Sequence, residues 1–334
     1  MQRLYIQEVV TRDGFQAESN FIPTEDKVQL LNRLSRAGYA KIEVTSFTSP
    51  KAIPMLADAE EVMSKIERVP GVEYTVLIPN LKGAERALRV GVDEFNLVMS
   101  VSETHNQSNL RMSRADSAKA LSDVIRLAHD AKVAVNVSLS TSFGCPMSGM
   151  TPIPELMHWI DHFANEGVRG ISICDTTGMA NPQHVKEVCE LSQTKYPTME
   201  WTLHFHNTRG MGLANALAAV EVGINRFDSS LGGLGGCPYA PGATGNICTE
   251  DLVYLLHECG YDTGIDLDKL ILVAKEVEKI VEVTKEVVND KEIKKLTEEN
   301  KKLKEELDKI NTSLEKLNKG RFLKNSDLGS LYSE

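Results

Sequence analysis

The stretch WTLHFHNTRGMGLANALAAVEVG, residues 201–223, holds one complete strand-to-helix unit. Its first part, WTLHFH (201–206), is a β-prone run, and its second, GLANALAAVEVG (212–223), reads as a helix. The same unit recurs on both sides. Upstream lie the strand-like runs LYIQEVV (4–10), KIEVTSF (41–47), YTVLIP (74–79), EFNLVMS (94–100), VAVNVSLST (133–141) and GISICD (170–175), and downstream lies RFDSSL (226–231). Helical stretches at 25–38, 57–69, 83–91, 117–131, 154–167 and 182–196 separate them. Strands alternating with helices over about 270 residues match the size of a (β/α)8 TIM barrel, whose chemistry sits at the C-terminal ends of the strands. An open doubly wound sheet is the competing α/β fold, but no G-x-G-x-x-G opens a helix after the first strand.

Lys plus Arg total 37 against 47 Asp plus Glu in 334 residues, a net charge of -10. That acidity argues against nucleic acid as a partner, because phosphate-backbone affinity rests on basic contacts. No apolar run is long enough to span a membrane, and MQRLYIQEVVTRDGF (1–15) has no apolar signal core, so a cytoplasmic protein is expected. The six cysteines include no C-x-x-C pair, which indicates neither a structural zinc nor a thioredoxin-type redox site.

The polar residues gather where a barrel would use them. His204 and His206 flank Phe205, so both imidazoles point to one face of their strand and make a two-pronged grip for a divalent ion. A pair of hydrogen-bonded pore histidines is the alternative. Asp13 at the end of the first strand adds a hard oxygen, and Asn246 adds a carbonyl donor. Two nitrogens and two oxygens with open positions suit Mg2+ or Mn2+ better than a structural zinc. Glu43 and Asp175 are further strand-end carboxylates.

The loop GGLGGCPYAPGATGN (232–246) is rich in glycine and can fold closely over a ligand, carrying Cys237 with it. A thiol near a metal and an arginine can donate a proton; nucleophilic catalysis is the competing role, with no His-Asn pair evident to activate it. Arg12 beside Asp13 supplies a guanidinium for a developing enolate charge, provided a bend turns both side chains to the site; the bland reading is a surface salt bridge.

At these residues the chain resembles the 3-hydroxy-3-methylglutaryl-CoA lyases, within the metal-dependent TIM-barrel lyases and synthases. The resemblance spans about residues 4–275 and is carried by EVVTRDGFQAE (8–18), IEVTSFTSPK (42–51), PNLKGAERAL (79–88), SETHNQSN (102–109), FGCP (143–146), DTTGMANP (175–182), LHFHNTRG (203–210) and GGLGGCPYAPGATGNICTEDLVYLL (232–256). It implies that Asp13, His204, His206 and Asn246 bind the divalent metal. It further implies that Arg12 holds the thioester carbonyl and that Cys237 protonates the enolate. Glu43 and Asp175 would be pocket carboxylates, Asp175 a candidate for the hydroxyl proton. The implied reaction is retro-Claisen cleavage of an acyl-CoA thioester to a keto acid and acetyl-CoA. Asn136, Cys174 and Asn207 stand where the family usually carries Arg, Gly and Asp. Loss of the arginine opens the alternative of a lyase on a different 3-hydroxyacyl-CoA. A condensing acyl-CoA synthase on the same barrel is a second alternative, and an inactive coiled-coil scaffold a third.

Beyond Glu278 the charged residues turn almost wholly to Lys and Glu, with Arg321 the single arginine. Ile293, Asn300, Leu307 and Leu314 fall at position a of a heptad, and Leu296, Leu303, Ile310 and Leu317 at d. This predicts residues 1–278 as the barrel, 279–319 as a coiled-coil oligomerisation helix ended by Gly320, and 320–334 as a flexible tail. A homo-oligomer is the expected assembly.

Overall fold

The computed structural model describes residues 1–236 and 245–327, with side chains in the last helix described through Glu282 and again over 294–314. The expected barrel is present. In chain order, β1 (Tyr5–Glu8) leads into a π-helical turn, Val10–Gly14, and is followed by α1 (Thr24–Leu34), β2 (Lys41–Ser46), α2 (Ala59–Lys65) and β3 (Glu73–Ile78). Next come α3 (Leu81–Val90), β4 (Glu94–Ser100), α4 (Glu103–Leu110), α5 (Arg114–Ala131) and β5 (Ala134–Ser140). A two-residue-strand hairpin, β6 (Gly144–Cys145) and β7 (Gly149–Met150), precedes α6 (Ile153–Asn165) and β8 (Gly170–Asp175). The barrel then continues through α7 (Pro182–Lys195), β9 (Glu200–Phe205), α8 (Gly212–Glu221), β10 (Arg226–Ser229) and α9 (Thr249–Glu258), and α10 spans Leu267–Asp327.

The barrel strands are parallel, in the order β1-β10-β9-β8-β5-β4-β3-β2, and β2 pairs back to β1 to close the ring. Closure leaves no unpaired sheet edge. Every residue of β2 and of β8 is buried, as expected for strands with side chains inside and helices outside. Lateral pairing fixes the direction of each side chain. Gln7, Asp228, His204 and Cys174 are paired across β1, β10, β9 and β8 and share the inner face. Ile6, Phe227, Leu203 and Ile173 form the next paired row, facing the helices within the main hydrophobic core. At the other mouth, Lys41 binds Glu94 at 2.7 Å, and Arg169 joins Glu73, Glu94 and Glu200 in a charged network that seals the barrel floor.

Local signals account for several helix starts. Asn80, Ser102, Ser113 and Asn181 each accept a hydrogen bond from a backbone N–H in the first turn of α3, α4, α5 and α7. Sequence periodicity places some boundaries differently from the structure. The first strand stops at Glu8 because the chain turns at Val10, and SETHNQSN contains the short helix α4. That helix has no apolar face for periodicity to detect; its Ser102 cap and the buried His105 and Asn106 hold it.

The chain divides into two compact units, Met1–Val281 and the segment from Glu282. In the first, Leu270, Val273, Ala274, Val277 and Val281 of α10 are buried within the core. In the second, helix α10 does not end at Gly320 but runs on to Asp327. A single glycine costs a helix about 1 kcal/mol relative to alanine, too little to stop it alone. Residues 328–334, at the end of the expected tail, lie outside the described residues. No helix among the described residues is long and apolar enough to cross a membrane.

Candidate metal and catalytic centre

The turn after β1 solves the problem of two adjacent residues serving one site. On a strand, Arg12 and Asp13 would face opposite ways. In the π-helical turn they lie side by side, and a guanidinium nitrogen of Arg12 pairs with Asp13 Oδ1. Arg12 Nε donates to Glu43 Oε2 from the opposite side, so the guanidinium sits between two carboxylates. Arg12 is buried, which disfavours its charge, but Asp13 and Glu43 outweigh that and hold its pKa above the ordinary value. It is therefore a fixed cation.

His204 and His206 point to the same side, with ring centroids 5.2 Å apart. One ligand atom from each, with one oxygen of Asp13, fall within 4.8 Å of one another. Burial pushes the Asp13 carboxyl up, yet Arg12, His204 and His206 together hold it well below the usual carboxylate range. Asn246 closes the cluster: its Nδ2 donates to Asp13 Oδ2 at 2.8 Å and to the Leu234 carbonyl at 3.0 Å. Its Oδ1 is buried and has no hydrogen-bond partner among the described residues. An unpaired buried carbonyl beside a carboxylate and two imidazoles suits a hard divalent cation, which would satisfy that oxygen. The donor set fits the ion.

The backbone around Asn246 is held by glycine. Gly235 has φ +111°, and a Cβ there would lie 2.6 Å from Asn246 Nδ2. A Cβ on Gly245 would fall 1.8 Å from the Gly233 carbonyl. These close approaches explain part of the glycine-rich composition of the loop. Cys237 lies outside the described residues.

Glu43 is fully buried, and burial raises its pKa against the pull of Arg12 and Asn96. Its Oε1 accepts from Asn96 Nδ2 at 2.7 Å, and Asn96 Oδ1 accepts from Asn136 Nδ2 at 3.0 Å and Ser138 Oγ at 2.8 Å. Asn136 also donates to Ser172 Oγ at 2.9 Å. Asn136, one of the three unusual positions, thus belongs to a polar chain inside the barrel that ends on Arg12. Asn207, the second, accepts from the Gly212 N–H at 3.0 Å, a contact a carbonyl oxygen makes as readily as a carboxylate. Cys174, the third, faces the interior beside His204.

Asp175 is turned elsewhere. It pairs laterally with Phe205, on the outer face, and its two oxygens accept from the N–H groups of Met179 (2.7 Å) and Ala180 (3.0 Å). Burial pushes its carboxyl up to about 6. The structure brings Arg12, Asp13, Glu43, His204, His206 and Asn246 together, and places Asp175 behind them as the clasp of the next turn.

Two acidic residues that the sequence motifs did not single out support this centre. Asp228 Oδ2 lies 3.2 Å from His204 Nδ1. Burial lowers the basicity of His204, and this carboxylate raises it, for a net pKa above the ordinary value. Glu8, fully buried, faces outward and accepts five hydrogen bonds. Its Oε1 takes the N–H groups of Val9, Val10 and Leu231, and its Oε2 takes Tyr39 Oη and Thr249 Oγ1. It thereby ties the turn bearing Arg12 and Asp13 to the segments that flank the glycine loop. The available signal was a carboxylate inside each apolar strand, Glu8 in LYIQEVV and Asp228 in RFDSSL.

A family model described as HMGL-like matches residues 3–277. The hydroxymethylglutaryl-CoA lyase YngG of Bacillus subtilis is 44% identical over 277 residues, covering 83% of this chain and 93% of that protein. The human mitochondrial hydroxymethylglutaryl-CoA lyase is 39% identical over 270 residues, covering 81% and 83%. Among solved structures, an HMG-CoA lyase from Acinetobacter baumannii in complex with coenzyme A and 3-methylmalate superposes with a TM-score of 0.80 at 48% identity, covering 83% of this chain and 91% of that one.

Proposed function

The chain belongs to the HMGL-like family, and from that membership and the geometry of its centre we propose a metal-dependent retro-Claisen cleavage of 3-hydroxy-3-methylglutaryl-CoA to acetoacetate and acetyl-CoA. It is a carbon–carbon lyase. The observation that carries the reading is the π-helical turn that sets Arg12 and Asp13 side by side, facing the His204–His206 pair and the unpaired Asn246 oxygen.

In this reading Asp13, His204, His206 and Asn246 would hold Mg2+ or Mn2+, which when bound would supply Lewis-acid stabilisation to substrate oxygens. Arg12, fixed between Asp13 and Glu43, offers its remaining N–H donors to the thioester carbonyl. As the C2–C3 bond breaks, its electron pair moves onto the thioester as an enolate, and the guanidinium meets charge that develops only then. The C3 hydroxyl becomes the ketone of acetoacetate and gives up its proton. Glu43, whose carboxyl burial pushes up, is the inward-facing carboxylate of the set able to receive it, whereas Asp175 holds the turn behind the centre. Cys237 then returns a proton to the enolate carbon. Asn136 acts through Asn96 and Glu43, steadying Arg12 rather than clamping the acyl group.

The test is product identity. The purified chain, given 3-hydroxy-3-methylglutaryl-CoA and Mg2+ or Mn2+, is expected to release acetoacetate and acetyl-CoA, and chelation is expected to stop it reversibly. Release of free CoA from acetyl-CoA and an oxo acid would assign a condensing enzyme instead. Full turnover after exhaustive metal removal would refute the metal-dependent reading.

A further inference from the structure

We infer that the far part of α10 is a homotypic docking surface: it pairs with the same segment of a second copy of this chain as a parallel, in-register, two-stranded coiled coil. The segment lies beyond residue 277, where the family match ends, so the barrel's chemistry does not account for it. Within its own unit the apolar row is left open. Leu296, Leu303, Leu307, Ile310 and Leu314 are 58%, 61%, 56%, 57% and 52% exposed. With Asn300 they repeat at alternating spacings of four and three, which is one seam on a helix rather than scattered surface leucines.

Charge and polarity choose the occupant and its direction. With Asn300, Leu307 and Leu314 at a and Leu296, Leu303 and Ile310 at d, the flanking g positions are Glu299 and Glu306, and the flanking e positions include Lys304. In a parallel pair each g residue faces the e residue five positions on in the partner helix. Glu299 then faces Lys304 of the second copy, and Glu306 faces the neutral Asn311, so no like charges oppose. An antiparallel pair sets g against g, bringing Glu299 and Glu306 toward their own counterparts. It also places Asn300 opposite a leucine or isoleucine, where its amide has no partner. In the parallel register Asn300 meets Asn300 and the two amides bond each other. A buried Asn at a is the device that selects two strands in register. A partner of different sequence lacks this self-complementarity, so the second copy is the occupant the seam fits.

Disulfide trapping in the full chain tests this without depending on any contact between barrels. Asn300→Cys and Leu314→Cys place thiols at two a positions, and Glu305→Cys places one on the outward face. Under the same mild oxidation, the first two are expected to convert to a covalent species of twice the chain mass. Glu305→Cys should stay at the level of the unsubstituted chain, which carries the exposed Cys259 as background. Retained turnover of each variant reports an intact barrel. Cross-linking at only one of the two a positions would overturn the parallel register, since antiparallel helices meet themselves only at their centre. An unlinked chain left in every assembly would overturn two-strandedness, and background levels at both positions would overturn the pairing itself.

Discussion

Asp228 Oδ2 on β10 lies 3.2 Å from Nδ1 of His204 on β9, and both residues sit on the inner face of the barrel in lateral register. With the neutral imidazole donating from Nδ1 to this carboxylate, Nε2 keeps its lone pair for a cation. Asp228→Asn is expected to weaken Mg2+ or Mn2+ binding by roughly 10–100-fold, measured by calorimetric titration. The pH dependence should move as well. Asp228 raises the pKa of His204, so in the unsubstituted chain protons compete with the ion up to a higher pH. Removing the carboxylate lets His204 lose its proton earlier, and the acid-side midpoint of metal binding should shift to lower pH. An unshifted midpoint would mean that His204 is not a ligand.

Glu8 is expected to matter out of proportion to its distance from the chemistry. Five donors converge on its two oxygens, and an amide at Glu8→Gln replaces one acceptor with a donor. The cost should be roughly 1–3 kcal/mol of stability, read by urea denaturation. Metal affinity should fall too, because the turn carrying Asp13 loses its tie to the Leu231 and Thr249 segments. Glu8→Asp, which keeps the charge on a shorter stem, should recover part of the metal affinity, an effect that loss of stability alone would not produce.

Gly235→Ala places a methyl group 2.6 Å from Asn246 Nδ2 at a φ of +111°. The backbone strain alone should cost at least about 1 kcal/mol. The specific expectation is a weaker metal site with the barrel's thermal unfolding only slightly lowered. Unchanged metal affinity would show that Asn246 is held by something other than this close approach.

Cys237→Ser tests the proton donor. A hydroxyl is a far weaker acid than a thiol, and loss of a positioned acid is worth roughly 10²–10⁴ in rate. Turnover should fall on that scale while metal affinity stays unchanged. A near-native rate would move the donor to another group.

The paired histidines were legible in the sequence because the period of a strand is two, so His204 and His206 had to share a face whatever surrounded them. The Arg12–Asp13 pair was legible as chemistry but not as geometry. Strand periodicity sets them apart, and only the π-helical turn, held through Glu8 by segments more than 200 positions away, sets them together. Asp175 shows the opposite case. Its position at a strand end suggested the site, but lateral pairing with Phe205 turns it outward to the amides of Met179 and Ala180.

By itself, then, the sequence determined what depends on short repeats: the alternation of strands and helices, the common face of the two imidazoles, and the heptad seam from Leu296 to Leu314. Such patterns are local because backbone geometry repeats every two or every 3.6 residues, and nothing distant is needed to read them. Tertiary structure alone decided which strand lies beside which. Closing eight strands into a ring put Asp228 next to His204, linked Asn136 to Arg12 through Asn96 and Glu43, and brought Asn246, whose buried oxygen has no partner among the described residues, against Asp13. Those contacts join residues from separate strands, and the burial and hydrogen bonding that make them arise only once the barrel has closed.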